Sequence, residues 1–112
     1  MKKICFEYCK GVADDLAEIY NGKTVNDAGE IGTLQDYFLD NALDYEYCVD
    51  SIGGYKSVKI WVTYGGPNIW IDTERRAVCL AWGTDRAECP LDVNTWLAID
   101  EIFSELYSNL GF

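Results

Sequence analysis

The chain has 112 residues, 49% of them hydrophobic and 14% aromatic, and its 19 acidic and 9 basic residues give a formal net charge of −10 at pH 7. This length and apolar content suit one domain with its own core and exclude general disorder. The charge excludes direct binding of nucleic acid, because a negative field repels phosphates, and it favours partners with basic surfaces.

The residue types that are missing exclude further classes of protein. The chain contains no histidine, which is the commonest metal ligand and the side chain most often used for proton transfer near neutral pH. We therefore expect no enzyme activity, no cofactor and no metal site. A carboxylate-dependent enzyme or a metal binder, with Cys5 and Cys9 joined by Cys48 or Cys89, stays as a third hypothesis.

The cysteine content and the hydropathy of the chain together predict the cellular compartment of the protein. The five cysteines are an odd number without the spacing of a disulfide framework, which indicates free thiols in a reducing compartment. No apolar run approaches the ~20 residues that cross a bilayer, and residues 1–10 lack the apolar centre of a secretion signal. We therefore expect a cytoplasmic protein that makes no membrane contact.

The N-terminal part of the chain is predicted to contain a strand, a helix and a loop. Residues 2–9 alternate in polarity, which predicts an edge strand, although a helix also fits. Residues 13–20 place apolar side chains at helical spacing, and Gly22 after Asn21 predicts the end of that helix. Residues 23–32 are rich in Asn, Asp and Gly and predict a surface loop.

A second helix is predicted from Thr33 to about Leu43, because Thr33 and Asp36 resemble a capping box. Its predicted buried stripe comprises Leu34, Phe38 and Ala42, flanked by Leu39 and Leu43. On its exposed side, Asp36, Asp40 and Asp44 would form a line of carboxylates ~6 Å apart.

The middle of the chain predicts an antiparallel meander. Residues 44–52 alternate as a strand, Gly53 and Gly54 predict a hairpin turn, and residues 56–82 predict three more strands joined by two tight turns. The predicted inward-facing set of residues 56–82 comprises Val58, Ile60, Val62, Tyr64, Ile69, Ile71, Val78, Leu80 and Trp82. Trp61 and Trp70 have the opposite parity and are predicted to lie on the other face of the sheet.

The C-terminal part predicts a loop over residues 83–91 and a final helix capped by Asp92 or Asn94. The apolar stripe of that helix is predicted to comprise Trp96, Ile99, Phe103, Leu106 and Leu110. No repeat or linker interrupts the chain. We therefore predict one α+β domain over residues 1–112, with an antiparallel meander of four to five strands and about three helices packed mainly on one face.

Carboxylates form the first candidate partner-binding set. Residues 11–55 contain ten acids and only one base, and several of the acids fall on predicted exposed faces. We predict that this set imitates a line of phosphates and enters a basic groove, whereas the alternative is a solvated surface that keeps the protein soluble. The candidate residues are Asp14, Asp15, Glu18, Asp36, Asp40, Asp44, Glu46 and Asp50.

Trp61 and Trp70 form the second candidate set. If the helices cover the other face of the sheet, these two side chains point toward solvent or toward a partner. Exposed tryptophans often anchor protein interfaces. The alternative is that another segment of the chain packs over them.

Several residues also carry a resemblance to known proteins. They are the run from Tyr64 through Gly65, Gly66, Pro67, Asn68, Ile69, Trp70, Ile71 and Asp72 to Thr73, then Trp82 and Gly83, then Ala98, Ile99, Asp100 and Glu101 with Leu106 and Tyr107. Over residues 34–107 the chain resembles short acidic proteins encoded on bacterial plasmids, phages and integrative elements, among which anti-restriction and anti-CRISPR proteins occur. The resemblance implies a bacterial host cell and an inhibitor of a defence nuclease, without assigning roles to residues.

Composition and resemblance together predict a non-enzymatic inhibitor of a bacterial defence nuclease. We expect the target to be a CRISPR effector of the Cas9 type, or a restriction enzyme, whose DNA-binding groove is basic. The alternative is a homodimeric or adaptor module that binds through Trp61 and Trp70, with the acidic residues serving solubility alone.

Overall fold

The computed structural model describes residues 2–23, 29 and 32–110, with only the backbone of residues 2 and 3. It contains helices α1 (Lys2–Tyr20), α2 (Leu34–Asn41) and α3 (Val93–Ser108), and strands β1 (Asp44–Val49), β2 (Tyr55–Thr63), β3 (Asn68–Asp72), β4 (Ala77–Trp82) and β5 (Asp85–Pro90). The strands pair in chain order as one antiparallel sheet. The predicted α+β fold is therefore confirmed, with five strands and three helices in the described residues.

Helices α1 and α3 pack against one face of the sheet, α2 packs against both of them, and together they form the core with the sheet. The core includes Val58, Ile60, Ile69, Ile71, Val78 and Leu80 from the strands and Cys5, Cys9, Leu16, Phe38, Ile99 and Phe103 from the helices. Each large apolar side chain buried in this way contributes about 1.5–3 kcal/mol. We call the opposite side of the sheet the open face, since no described helix covers it.

The predicted hairpin turn between β1 and β2 is confirmed, and an aspartate closes it. Asp50 Oδ1 accepts the backbone N–H groups of Ile52 (3.0 Å) and Gly54 (2.8 Å). The hydrogen bond from Gly54, followed by that from Ile52, lowers the pKa of the Asp50 carboxyl. Gly53 adopts a φ of 85°, a conformation that favours glycine.

A β-bulge at Val62 redirects the side chains that follow it. Trp61 pairs with Trp70, but the next paired residue of β2 is Thr63. One extra residue shifts the alternation, so Tyr64 stacks on Trp61 at the open face. The prediction that Tyr64 belongs to the inward-facing set is therefore wrong.

The predicted edge strand over residues 2–9 is also wrong, because this segment is the first half of α1. Cys5 and Cys9 lie one helical turn apart, are fully buried and continue the stripe formed by Ala13 and Leu16. The residues whose alternation predicted a strand are 44–49% exposed: Ile4, Phe6 and Tyr8. The helix ends at Tyr20, before Asn21 and Gly22, as predicted.

Residues 83–91 were predicted to form a loop, but most of them form β5. Every residue of β5 pairs with a residue of β4. Ala87 and Cys89 face the core, and α1 packs over them. Pro90 is compatible with this strand because it occupies the last position of a sheet edge, where a missing N–H costs no interior hydrogen bond.

The second helix begins as predicted and ends earlier. Thr33 is its N-cap and its Oγ1 accepts the Asp36 N–H at 3.1 Å. Because α2 ends at Asn41, Asp44 belongs to β1, and the predicted line of three carboxylates on one helix is wrong. Leu39 and Leu43 do not flank a buried stripe, since 77% and 60% of their surfaces are exposed. The loop predicted over residues 23–32 lies almost entirely outside the described residues.

The last helix follows Asp92, which occupies the N-cap position without a side-chain hydrogen bond to the helix. Ile99 and Phe103 are buried as predicted. Leu106 and Leu110 are 39% and 57% exposed, so the predicted stripe is wrong at its C-terminal end.

Candidate partner-binding surfaces

The outward side of the helices carries an acidic surface that we call the acidic helix layer. Its members are Asp14, Asp15 and Glu18 of α1, Asp36 and Asp40 of α2, and Glu101 and Glu105 of α3, all exposed. These residues lie opposite the buried stripe of each helix, as amphipathic periodicity requires. Asp15 contributes, after burial, to the raised pKa of Tyr37, which places an α1 carboxylate close to α2.

Each of the three helices has a carboxylate in its last turn and no basic residue there. These carboxylates are Glu18, Asp40 and Glu105. The C-terminal end of a helix carries partial negative charge, so an anion in the last turn is unfavourable by about 0.3–1 kcal/mol. The layer therefore keeps negative charge where it reduces stability.

Few of these carboxylates have a cationic partner. The described side chains form two ion pairs. Lys10 and Asp14 pair at 2.8 Å on the exposed side of α1, and Arg75 pairs with Glu88 at the sheet. The first raises the pKa of Lys10, mainly through its hydrogen bond to Asp14. The other members of the acidic helix layer are free to interact with a basic partner.

Three aromatic rings form a cluster on the open face. The ring centroids of Trp61 and Trp70 are 4.8 Å apart, and Tyr64 stacks on Trp61 at 5.5 Å with an interplanar angle of 18°. Both tryptophans are partly buried by these contacts, and their Nε1 atoms have neither solvent contact nor a hydrogen-bond partner among the described residues. The cluster is thus an apolar centre on an otherwise polar face.

Charges of both signs surround the aromatic cluster. Asp44 and Glu46 of β1 lie beside it, and after desolvation they contribute to the raised pKa of Tyr64. On the other side, Arg75 donates from Nη2 to Glu88 Oε2 at 3.3 Å, and this pair borders a shallow depression of about 770 Å³. These four charges sum to −2, against −7 for the seven carboxylates of the helix layer, so the open face is the less acidic of the two surfaces.

The structure places nine of the ten predicted partner-binding residues on two sides of the molecule. The acidic helix layer includes Asp14, Asp15, Glu18, Asp36 and Asp40, whereas the open face includes Asp44, Glu46, Trp61 and Trp70. Asp50 joins neither group, because its carboxylate binds the hairpin turn. The acidic and aromatic sets are thus two separate candidate surfaces.

Three further residues belong to these surfaces and were not among the predicted site residues. Glu101 and Glu105 extend the acidic helix layer, and the helical periodicity of α3 is sufficient to find them. Tyr64 joins the aromatic cluster only because of the bulge at Val62, which local alternation does not indicate.

In the part of the chain that the structure describes, no three Cys, Asp or Glu side chains are placed to hold a metal ion. Of the cysteines proposed as possible ligands, Cys48 is exposed on β1, whereas Cys5 and Cys9 of α1 and Cys89 of β5 are buried in the core. Burial raises the pKa of the Cys9 thiol to about 11, with smaller contributions from Cys89 and Cys5. The Cys9 thiol therefore stays protonated near neutral pH.

No described helix has the length and apolar character needed to cross a membrane. Comparisons with protein-family models, with curated proteins and with solved structures gave no significant match to the chain.

Proposed function

We propose that this protein is a non-enzymatic inhibitor that places its acidic helix layer in the basic, DNA-binding groove of a nucleic-acid-processing protein. The observation that carries the proposal is the set of three last-turn carboxylates, Glu18, Asp40 and Glu105. Solubility alone needs acids anywhere on the surface. Acids kept where they oppose the helix dipoles are better explained by a partner that neutralises them.

The spacing of these charges supports binding in a groove made for DNA. Asp36 and Asp40 are four residues apart on one helix, which corresponds to ~6 Å at 1.5 Å per residue. Duplex DNA presents one charge every ~3.4 Å along each strand, so one helix offers a sparser but comparable row. The resemblance to acidic proteins of mobile elements makes a CRISPR effector of the Cas9 type the first target to test, and a restriction enzyme the second.

Charge reversal on the helix layer tests the proposal. Purified protein is titrated into a Cas9–guide RNA complex, and target binding and cleavage are measured at low and high salt; a restriction enzyme serves as a second arm. The triple variant Glu18→Lys, Asp40→Lys, Glu105→Lys should inhibit on the order of 100-fold less well, since steering raises association rates 10- to 10³-fold. The same variant should be more stable than the wild type, because it removes three unfavourable dipole interactions.

A matched control changes the net charge equally on the other side of the molecule. The variant Asp44→Lys, Glu46→Lys, Glu74→Lys alters three acids that do not belong to the helix layer. It should keep most of the inhibition. If the two triple variants inhibit equally well, binding does not use the acidic helix layer.

A second candidate function is an adaptor that binds a protein through the open face. The stacked Trp61, Tyr64 and Trp70 favour it, because aromatic clusters of this type anchor interfaces. In that case Trp61→Thr with Trp70→Thr would abolish partner binding, whereas the helix-layer variant would not.

A further inference from the structure

Exposed apolar side chains concentrate at one corner of the molecule. Of the fourteen large hydrophobic residues that are exposed, seven come from the last turn of α2, from the β1 segment with its turn, and from the end of α3. They are Leu39, Leu43, Tyr45, Val49, Ile52, Leu106 and Leu110, which we call the β1 corner.

Contacts among neighbouring residues show that these segments lie together. Tyr45 of β1 contacts Phe103 of α3 with ring centroids 5.5 Å apart. Tyr107, next to Leu106, contacts Tyr47 at 5.0 Å and donates its hydroxyl to the Gly53 carbonyl at 2.6 Å. The end of α3 thus lies against β1 and the turn that holds Ile52.

The exposed area of this corner is large for a monomer. Ile52 is 90% and Leu39 77% exposed, and the other five are 39–60% exposed. With an accessible area of roughly 150 Å² for each side chain, at the lower end of the values for aromatic residues, the seven expose roughly 600 Å². This sum, taken over side chains along β1 and at both of its ends, is comparable with the ~300–600 Å² of the largest apolar patch on a typical monomer and lies below the ~800 Å² that each partner buries in a stable interface.

The edge strand in this corner lacks the usual protection against pairing. β1 pairs with β2 on one side only, and it contains neither Lys nor Pro. Natural edge strands commonly carry such residues, or are covered, as β5 is by α1 and by its terminal Pro90. One local interaction reduces the capacity of β1 to pair with another strand, since Asp44 Oδ1 accepts the Tyr45 N–H at 2.9 Å.

We propose that the β1 corner is an interface between two copies of this chain, in which β1 pairs antiparallel with β1 of the second copy. A pairing centred on Tyr47 places Tyr45 opposite the partner's Val49 on the helix side and Glu46 opposite the partner's Cys48 on the open side. This register avoids opposing two glutamates and brings like charges together only past the end of β1, where Asp44 meets Asp50 of the second copy. A two-fold interface buries the same apolar corner from both copies.

A second copy fits this surface better than an unrelated protein for two reasons. The corner is mostly apolar, as homodimer interfaces are, and the antiparallel edge is complementary to itself. The resulting sheet would have ten strands, which is within the usual range. The proposal does not depend on the nuclease target, because it concerns only the association of the chain with itself.

Sedimentation equilibrium between 1 and 100 µM, in a reducing buffer, tests the proposal without any other partner. The wild type should show twice the mass of 12.7 kDa. The variant Leu43→Lys, Ile52→Lys should shift the midpoint of association at least 100-fold to higher concentration, and it should fold, because both positions are exposed. The matched control is Val93→Lys, Leu97→Lys, which changes two exposed residues on the first half of α3 and should stay dimeric.

Oxidative cross-linking tests the register. In the proposed pairing, Glu46→Cys brings the new thiol opposite Cys48 of the second copy, within the ~4.5–5.5 Å typical of facing Cβ atoms. Under mild oxidation it should give a covalent dimer on non-reducing gels, whereas Glu74→Cys should not. A wild type that stays at 12.7 kDa at 100 µM, a corner variant that dimerises normally, or a Glu46→Cys variant that does not cross-link would each overturn the proposed interface.

Discussion

A single hydrogen bond between β2 and α3 allows a quantitative test of the structure. The Tyr55 hydroxyl donates to Asp100 Oδ1 at 2.6 Å in a partly buried position. Burial, followed by this hydrogen bond, raises the pKa of Tyr55, so the phenol stays protonated and remains the donor at all ordinary pH values. Tyr55→Phe removes the donor and leaves the ring in place.

The expected loss of stability follows from the type of bond. A hydrogen bond to a charged group is worth about 1.5–3 kcal/mol, and the lower end applies because Asp100 is still partly hydrated. We therefore expect Tyr55→Phe to reduce the free energy of unfolding by about 1.5 kcal/mol. With an unfolding entropy of about 2.1 cal/mol/K for each residue, a chain of this length should lose about 6 °C in Tm.

Urea denaturation and thermal unfolding, both followed by circular dichroism, provide the measurement. The matched control is Tyr45→Phe, which removes a hydroxyl from a tyrosine that is 46% exposed. A double-mutant cycle with Asp100→Asn should give a coupling energy of about 1 kcal/mol, because the two groups act as one pair. A loss below about 0.5 kcal/mol, or one equal to that of the control, would refute the conclusion that this bond holds α3 on the sheet.

Three further predictions concern individual residues. Tyr47 has a buried hydroxyl without a partner among the described residues. Tyr47→Phe should therefore leave the free energy of unfolding in urea unchanged or raise it by up to about 1 kcal/mol, and a clear loss of stability would contradict this. With Ellman's reagent under native conditions, exposed Cys48 should react quickly and Cys79 slowly, because Cys79 is buried and burial raises its pKa to about 12; more than one fast thiol for each chain would contradict the structure. Arg76 has a φ of 57°, and its guanidinium lies 4.4 Å from the centre of the Trp96 ring. Both Arg76→Gly and Arg76→Ala lose the ring contact, but only glycine relieves the left-handed backbone strain, so the glycine variant should be about 1 kcal/mol more stable in urea denaturation. Equal stabilities of the two variants would count against the strain.

The sheet could be predicted from sequence because its signals are local. Residues 56–82 alternate with period two on either side of two short turns, and this pattern predicts strands whatever surrounds them. The Thr33 cap was found for the same reason, since its hydrogen bond joins residues only three positions apart. Features of this type do not depend on the rest of the fold.

The errors occur where tertiary contacts decide the outcome. Residues 2–9 alternate as a strand would, but Cys5 and Cys9 are the residues that α1 buries, and cysteine carries a weak hydrophobic signal by sequence. In the segment that forms β5, polar residues and Pro90 obscured an edge strand that pairing with β4 stabilises. Leu106 and Leu110 keep the helical spacing of the buried stripe, so their exposure is decided by tertiary packing that no local pattern encodes.

For the candidate surfaces, the sequence was enough to identify which residues are candidates, but it was not enough to predict which of them share a surface. The acids and the tryptophans were both singled out, yet only the fold shows that five of the acids lie on the helix side, whereas Asp44 and Glu46 share the open face with the tryptophans. Asp44 illustrates the reason, because its position changed from a helix to a strand once α2 ended at Asn41. A difference of two residues, between a predicted helix end at about Leu43 and the observed end at Asn41, is enough to move a charge from one surface to the other.

The position of α1 on β4 and β5 has a consequence for synthesis of the chain. This helix is translated before the strands on which it packs, and residues 21–76 separate it from them. At about 5–20 residues per second, the ribosome needs several seconds to produce them. During that interval Cys9 and Leu16 have no sheet to pack against, so the apolar stripe of the nascent helix stays uncovered until β4 and β5 emerge.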